Sequence, residues 1–139
     1  MESIIVCFDK ENETEIRKIR NSVFTTEQQI PEDIDFDGND PDSVHVLIKE
    51  ECRFVGTGRM LRDGHIGRLA VLKDHRGKGS GAKAVKALIE EASRRGLKRV
   101  FLGAQLQAAG FYRRLGFREY GPIFIEAGIE HVHMEKMLS

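Results

Sequence analysis

The chain has 139 residues, with 22 Lys plus Arg against 22 Asp plus Glu, so its formal net charge is zero with histidines neutral. This length fits one domain spanning residues 1–139, and a chain of this size buries about 68% of the surface its unfolded form exposes. With 40% hydrophobic and 32% charged residues it has the composition of a soluble globular domain. The lack of surplus positive charge excludes a nucleic-acid binder that works by neutralising phosphates.

Two cysteines, Cys7 and Cys52, lack CxxC spacing and sit in apolar or strand-like contexts, so they are expected as buried free thiols. No apolar run approaches the ~20 residues needed to cross a bilayer. Met1-Glu2-Ser3 has no basic segment of the kind that opens a signal peptide. The expectation is a protein of the reducing cytoplasm with neither a membrane nor a nucleic acid as partner.

Ser3 to Phe8 is an apolar, β-branched run that reads as a buried strand. Glu11 to Thr25 reads as a helix, with Ile16, Ile19 and Val23 at helical spacing and Glu11, Glu13 and Glu15 near its N-terminus. Glu32 to Asp42 is acidic and contains Gly38 and Pro41, which predicts a loop or a short irregular helix followed by a turn. Val44–Lys49, Arg53–Leu61 and Ile66–Leu72 form an antiparallel meander, with Asp63-Gly64 as a two-residue hairpin signal.

The period then changes. A glycine-rich stretch precedes a helix that ends near Arg95, with Ala82, Val85, Leu88, Ile89 and Ala92 as its apolar stripe and Gly96 as its stop. Arg99–Gly103 reads as a buried strand, so Ile66 to Gly103 is a strand–helix–strand crossover between parallel strands. Ala104–Leu115 reads as a second helix, and Phe117–Ile125 with Glu130–Met137 as a closing hairpin. The pattern is α/β: a mixed, mostly antiparallel twisted sheet of six or seven strands with helices on both faces.

The stretch Arg76-Gly77-Lys78-Gly79-Ser80-Gly81-Ala82 lies between a strand and a helix. Its glycines let the backbone approach a ligand, and it ends in the first helical turn, whose amides lack intrahelical partners. Such a terminus binds phosphate, with Arg76 and Lys78 as added positive charge. The alternative is a tight turn that needs glycine for positive φ. A Walker A loop is excluded because Lys78 is followed by Gly79 with no glycine at the upstream position. Gly77-x-Gly79-x-x-Ala82 matches a dinucleotide fingerprint, but four polar residues separate it from its strand and the next strand ends without a carboxylate.

Leu69-Ala70-Val71 followed by Arg76-Gly77-Lys78-Gly79-Ser80-Gly81-Ala82 resembles motif A of the GCN5-related N-acetyltransferases, R/Q-x-x-G-x-G/A. Ala108-Ala109-Gly110-Phe111-Tyr112-Arg113-Arg114-Leu115-Gly116-Phe117 resembles motif B of the same family. The stretch Val23 to Pro31, with the acidic residues and His45 after it, is similar to the YjcF/ElaA-like branch.

The resemblance implies an N-acetyltransferase that moves the acetyl group of acetyl-CoA to a primary amine of a small molecule or peptide. It implies that Arg76, Gly77, Lys78, Gly79, Ser80 and Gly81 hold the cofactor's diphosphate. Leu69, Ala70 and Val71 would pair with the pantetheine arm where two parallel strands splay apart. Gln105 stands near a position where the family often places Asn. Tyr112 matches the motif-B tyrosine and would protonate the departing thiolate, since a phenol keeps its proton at neutral pH. His65, on the strand before motif A, and Glu27 are the side-chain candidates for the base, with water acting through the backbone as a third alternative, and Gln28 is a candidate for binding substrate.

His131 and His133 share a face of one strand and so could ligate a metal, but two ligands without a third at fitting spacing are better read as an ordinary strand pair, and no metal is expected. The acidic segment Glu32–Asp42 is expected either to attract a cationic amine or to be a solvated loop. The C-terminal hairpin offers an edge on which a second copy could pair as a homodimer. Two competing readings remain: a non-catalytic acyl-CoA-binding or sensing module on the same fold, and a dinucleotide-dependent oxidoreductase.

Overall fold

Seven strands and four α-helices follow one another in a computed structural model that describes residues 1–138. Strand β1 (Glu2–Val6) leads to helix α1 (Lys10–Arg20), where the Asp9 side chain accepts the Asn12 amide at 2.9 Å. Acidic residues fill the first turn of α1 and Arg17, Lys18 and Arg20 the last, each complementing the helix dipole. The helix expected to reach Thr25 changes character at Asn21. From Asn21 to Glu27 it widens into π turns, and the Gln28 amide donates to the Val23 carbonyl five residues back at 3.0 Å.

The acidic segment forms the short α2 (Glu32–Asp35) and a 3₁₀ turn, Asp40–Asp42. Part of it is not a solvated loop, because Asp35 and Asp40 are buried and Asp37 and Asp40 bond buried arginines, while Glu32, Asp33 and Asp42 stay exposed. Arg20, fully buried, holds Asp40 with two bonds of 2.9 Å. Arg59 bonds Asp37 at 2.8 Å and Asp40 at 3.2 Å, and the ring of His45 meets the Asp40 carbonyl at 3.0 Å. Breaking such a buried pair from one side costs about 3–5 kcal/mol, since it strands the other charge.

Strands β2 (Val44–Glu50), β3 (Arg53–Met60) and β4 (Ile66–Val71) make the expected meander, and β1 adds antiparallel to β2. The expected two-residue turn at Asp63-Gly64 is a three-residue loop closed by the Leu61 amide on the His65 carbonyl at 2.9 Å. Gly64 is required there: its φ is +96°, and a Cβ would lie 2.5 Å from the Arg99 carbonyl oxygen.

Helix α3 (Ser80–Arg94) ends at Gly96, where the Gly96 and Leu97 amides cap Ser93 and Ala92 at 3.0 Å each. Strand β5 (Arg99–Gln105) runs two residues further than expected because Ala104 and Gln105 pair with Val132 and His131. The second helix therefore starts only at α4 (Ala109–Arg114), after a 3₁₀ turn. Strands β6 (Arg118–Glu126) and β7 (Ile129–Met137) close the chain as a hairpin, with β7 inserted between β5 and β6.

The sheet is thus two sheets, ordered β1-β2-β3-β4 and β5-β7-β6, touching through one parallel bridge between His65 and Phe101. Helix α3 covers one face, where Val85 and Leu88 pack among Val46, Ile48, Val100 and Met134. On the other face, Ile16, Ile19 and Val23 pack on Leu47 and Ala70.

Both thiols are free but exposed, contrary to expectation. Cys7 follows the last paired residue of β1, and Cys52 sits in the turn between β2 and β3, so neither side chain is drawn into a core. Among the described residues, no helix is long and apolar enough to cross a membrane.

Candidate functional site

Beyond the His65–Phe101 bridge no ladder joins β4 to β5, so each strand keeps an unpaired edge toward the other. The edge of β4 is also irregular. Arg59 pairs with Gly67 but Thr57 with Ala70, which leaves one extra residue in β4. Arg68 occupies that bulge at φ +49°, a conformation that costs a non-glycine residue energy. Its guanidinium is held by the Asp35 carbonyl at 3.0 Å and the Asp37 carboxylate at 3.1 Å, so the acidic segment fastens the bulge.

Next to the bulge, Leu69, Ala70 and Val71 form one wall of a cavity of about 420 Å³. The loop residues Arg76, Gly77, Gly79, Ser80 and Gly81 form the opposite wall. Gln28 completes it, together with Val23, Ala82 and Phe111, which the sequence reading missed. Phe111 was adjacent to the motif-B tyrosine and so within reach of inference. Val23 was read as core, and only the π turns bring it and Gln28 to the same opening.

The loop leaves its backbone open at the start of a helix. Gly77 and Gly79 have φ values of +80° and +87°, and a Cβ at either would meet nothing within 4 Å, so both face open space. Gly79 caps α3 without a side-chain bond, leaving the first-turn amides unpaired at the positive end of a 15-residue helix.

The two cations expected to add charge here are already paired. Arg76 grips the Glu27 carboxylate with both terminal nitrogens, at 2.7 and 2.8 Å, and its Nε donates to the Val71 carbonyl at 2.9 Å. Lys78, which does not line the cavity, reaches Glu50 at 3.0 Å. The Arg76 guanidinium holds the Glu27 carboxyl below the usual carboxylate range, and Lys78 does the same for Glu50. The groups left to meet an anion here are therefore backbone amides and not free side-chain charge.

Tyr112, His65 and Gln105 lie outside the cavity wall. Tyr112 packs edge-on against Phe111 and Phe117, with ring centroids 4.9 and 5.8 Å away, and burial pushes its phenol up to about 12. His65 stacks on Phe101 at 4.9 Å where the two sheets meet, and burial there lowers its imidazole below the ordinary value, with Asp63 pulling the other way. Gln105 ends β5 and accepts a bond from the Gln107 amide. His131 and His133 stack on Phe124 at 5.5 and 4.2 Å, and the described residues contain no cluster of three potential ligands for a metal.

Comparison with known proteins agrees with this arrangement. The family model for the acetyltransferase (GNAT) domain matches residues 7–138. YyaT of Bacillus subtilis is 40% identical over 131 residues, which covers 90% of this chain and 88% of that protein. YjcF of the same organism, named an N-acetyltransferase, is 36% identical over 122 residues, covering 85% and 87%. The crystal structure of ElaA from Escherichia coli superposes with a TM-score of 0.85 at 26% identity, covering 97% of this chain and 98% of that one. With its split sheet, its glycine loop and these relatives, the chain belongs to the GNAT family of acetyltransferases.

Proposed function

We propose that the chain transfers the acetyl group of acetyl-CoA to a primary amine of a small molecule or peptide. The observation that carries this reading is the open glycine cradle at the N-terminus of α3, continuous with the unpaired edge of β4. The cradle fits a diphosphate, because the glycines leave room and the helix amides supply donors. Acetyl-CoA supplies a thioester, whose carbonyl an amine attacks and whose sulfur leaves as a thiolate.

The chain's own groups divide the remaining work. Backbone amides from Gly77 to Gly81 hold the diphosphate, with Arg76 and Lys78 beside it as paired cations. Leu69, Ala70 and Val71 offer backbone groups to the pantetheine arm, with Gln105 as a further contact at the end of β5. Gln28, from the α1 side of the cavity, contacts the substrate.

A primary amine with a lysine-like pKa is neutral in only about one molecule in a thousand at pH 7, a penalty of roughly 4 kcal/mol that a base relieves. His65 takes that role more readily than Glu27, because its depressed pKa keeps the imidazole neutral while both Glu27 oxygens are engaged by Arg76. Tyr112 holds the proton for the leaving sulfur.

One observation favours the second reading, a non-catalytic acyl-CoA-binding module: neither Tyr112 nor His65 lines the cavity. Following coenzyme A release with acetyl-CoA and a panel of amines separates the two. Turnover with at least one amine is expected, and tight acetyl-CoA binding without acetylation of any amine would favour the module. Gly79→Val is expected to weaken acetyl-CoA binding at least tenfold by calorimetry, because a β-branched residue resists φ +87° and fills the cradle.

A further inference from the structure

We infer that Glu27 is a positioning residue for the acetyl-CoA side of the site and not its proton acceptor: it fixes Arg76, and through Arg76 the carbonyl of Val71. The inference rests on reading the cavity as the acetyl-CoA site. Three bonds form the device. Both Glu27 oxygens take the Arg76 fork at 2.7 and 2.8 Å, and the third guanidinium nitrogen meets the Val71 carbonyl at 2.9 Å. A planar fork satisfied on two edges has one orientation, which a lysine could not reproduce.

The three residues come from three different elements, two of them, Arg76 and Val71, on the cavity wall. Glu27 ends the π segment, next to the cavity residue Gln28. Arg76 opens the glycine loop, and Val71 ends β4. The fork therefore ties α1's extension, the loop and the strand into one frame around the opening. It also keeps a long cationic side chain from swinging across the cradle. A carboxylate held in this way, with its affinity for protons reduced, is poorly suited to accept one from an amine.

The pair is solvent-screened, its side chains 40% and 36% exposed, so its removal leaves the fold standing. That makes the following variants readable, with circular dichroism as the check on folding. Acetyl-CoA binding by calorimetry and steady-state kinetics across pH are measured for the unaltered chain, Glu27→Gln, Glu27→Asp, Arg76→Lys and the double variant Glu27→Gln/Arg76→Lys.

Glu27→Gln is expected to raise the acetyl-CoA Kd and KM about tenfold, the lower end of what losing a positioning partner costs. Its kcat stays within about threefold, with the acidic limb of the pH profile in place. Glu27→Asp recovers part of the affinity, and the double variant is no worse than the poorer single one, as expected for two groups acting as a unit. A fall in kcat of a hundredfold or more with loss of the acidic limb would make Glu27 the base and overturn the inference. Unchanged or tighter acetyl-CoA binding by Glu27→Gln, or losses that multiply in the double variant, would overturn it as well. If the unaltered chain fails to bind acetyl-CoA, the functional reading itself falls, and the role of the pair with it.

Discussion

At Tyr112 burial alone shifts the phenol. Packed between Phe111 and Phe117, its phenol titrates near 12, so it stays protonated throughout the range in which an amine can attack. The same burial makes it a reluctant acid, and in the proposed reaction its proton would go to the departing thiolate. Tyr112→Phe keeps the edge-on ring contacts, so its thermal midpoint should stay within a few degrees. Its kcat should fall about a hundredfold, the lower end of what a general acid contributes, with the acetyl-CoA Kd unchanged. A rise in KM alone would make Tyr112 a binding residue. The profile of the unaltered enzyme should show no fall attributable to Tyr112 up to pH 10.

At the scale of elements, the bulge of β4 and the acidic segment form one device. Arg68 sits at φ +49° because Asp35 and Asp37 hold its guanidinium, and the bulge adjoins the cavity wall at Leu69. Arg68→Ala is expected to lose about 2 kcal/mol in urea denaturation, the scale of a charged hydrogen bond. Acetyl-CoA binding should weaken in parallel. Full affinity in Arg68→Ala would separate the segment from the site.

This device was not legible in the sequence, and the reason is physical. Periodicity reports which face of an element is apolar. It does not report pairings between charges 31 residues apart, such as Arg68 with Asp37. The acidic segment therefore read as surface, although Asp35 and Asp40 are buried. The thiols failed for a related reason, since Cys7 and Cys52 stand just past where their strands stop pairing. What was legible were the features that local chemistry decides: the Gly96 stop, the meander, the crossover and the glycine loop. The wall residues Leu69–Val71, Gly77, Gly79, Ser80 and Gly81 came with the resemblance to motif A, whereas the Glu27–Arg76 fork spans 49 positions and left no local trace.

The molecule as a whole should be sensitive to acid. The Arg59 hydrogen bonds hold the Asp37 carboxyl well below the usual range. Burial works to raise Asp40, but Arg20 and Arg59 outweigh it and the net shift is downward. Depressed folded values mean that these contributions are complete above the unfolded-state pKa, about 3.9, and are lost as pH falls through the folded values. Asp35 runs the other way, because burial raises its pKa and its ionised form burdens the fold. The urea midpoint should hold from pH 7 to 5 and drop below pH 4. Asp37→Asn should lower it at pH 6 and flatten the acid slope. An equal slope in that variant would remove Asp37 from the account.

The single bridge between the two sheets also governs what kind of molecule can enter. An unpaired strand edge at a rim invites other proteins to add a strand and aggregate. Here the open edges of β4 and β5 face each other across the seam, joined at the His65–Phe101 bridge. On the function proposed above, a slender, extended chain carrying its own donors and acceptors would satisfy them. On that function the architecture would thus select by thickness, and it sets face to face two edges that at a rim would invite aggregation.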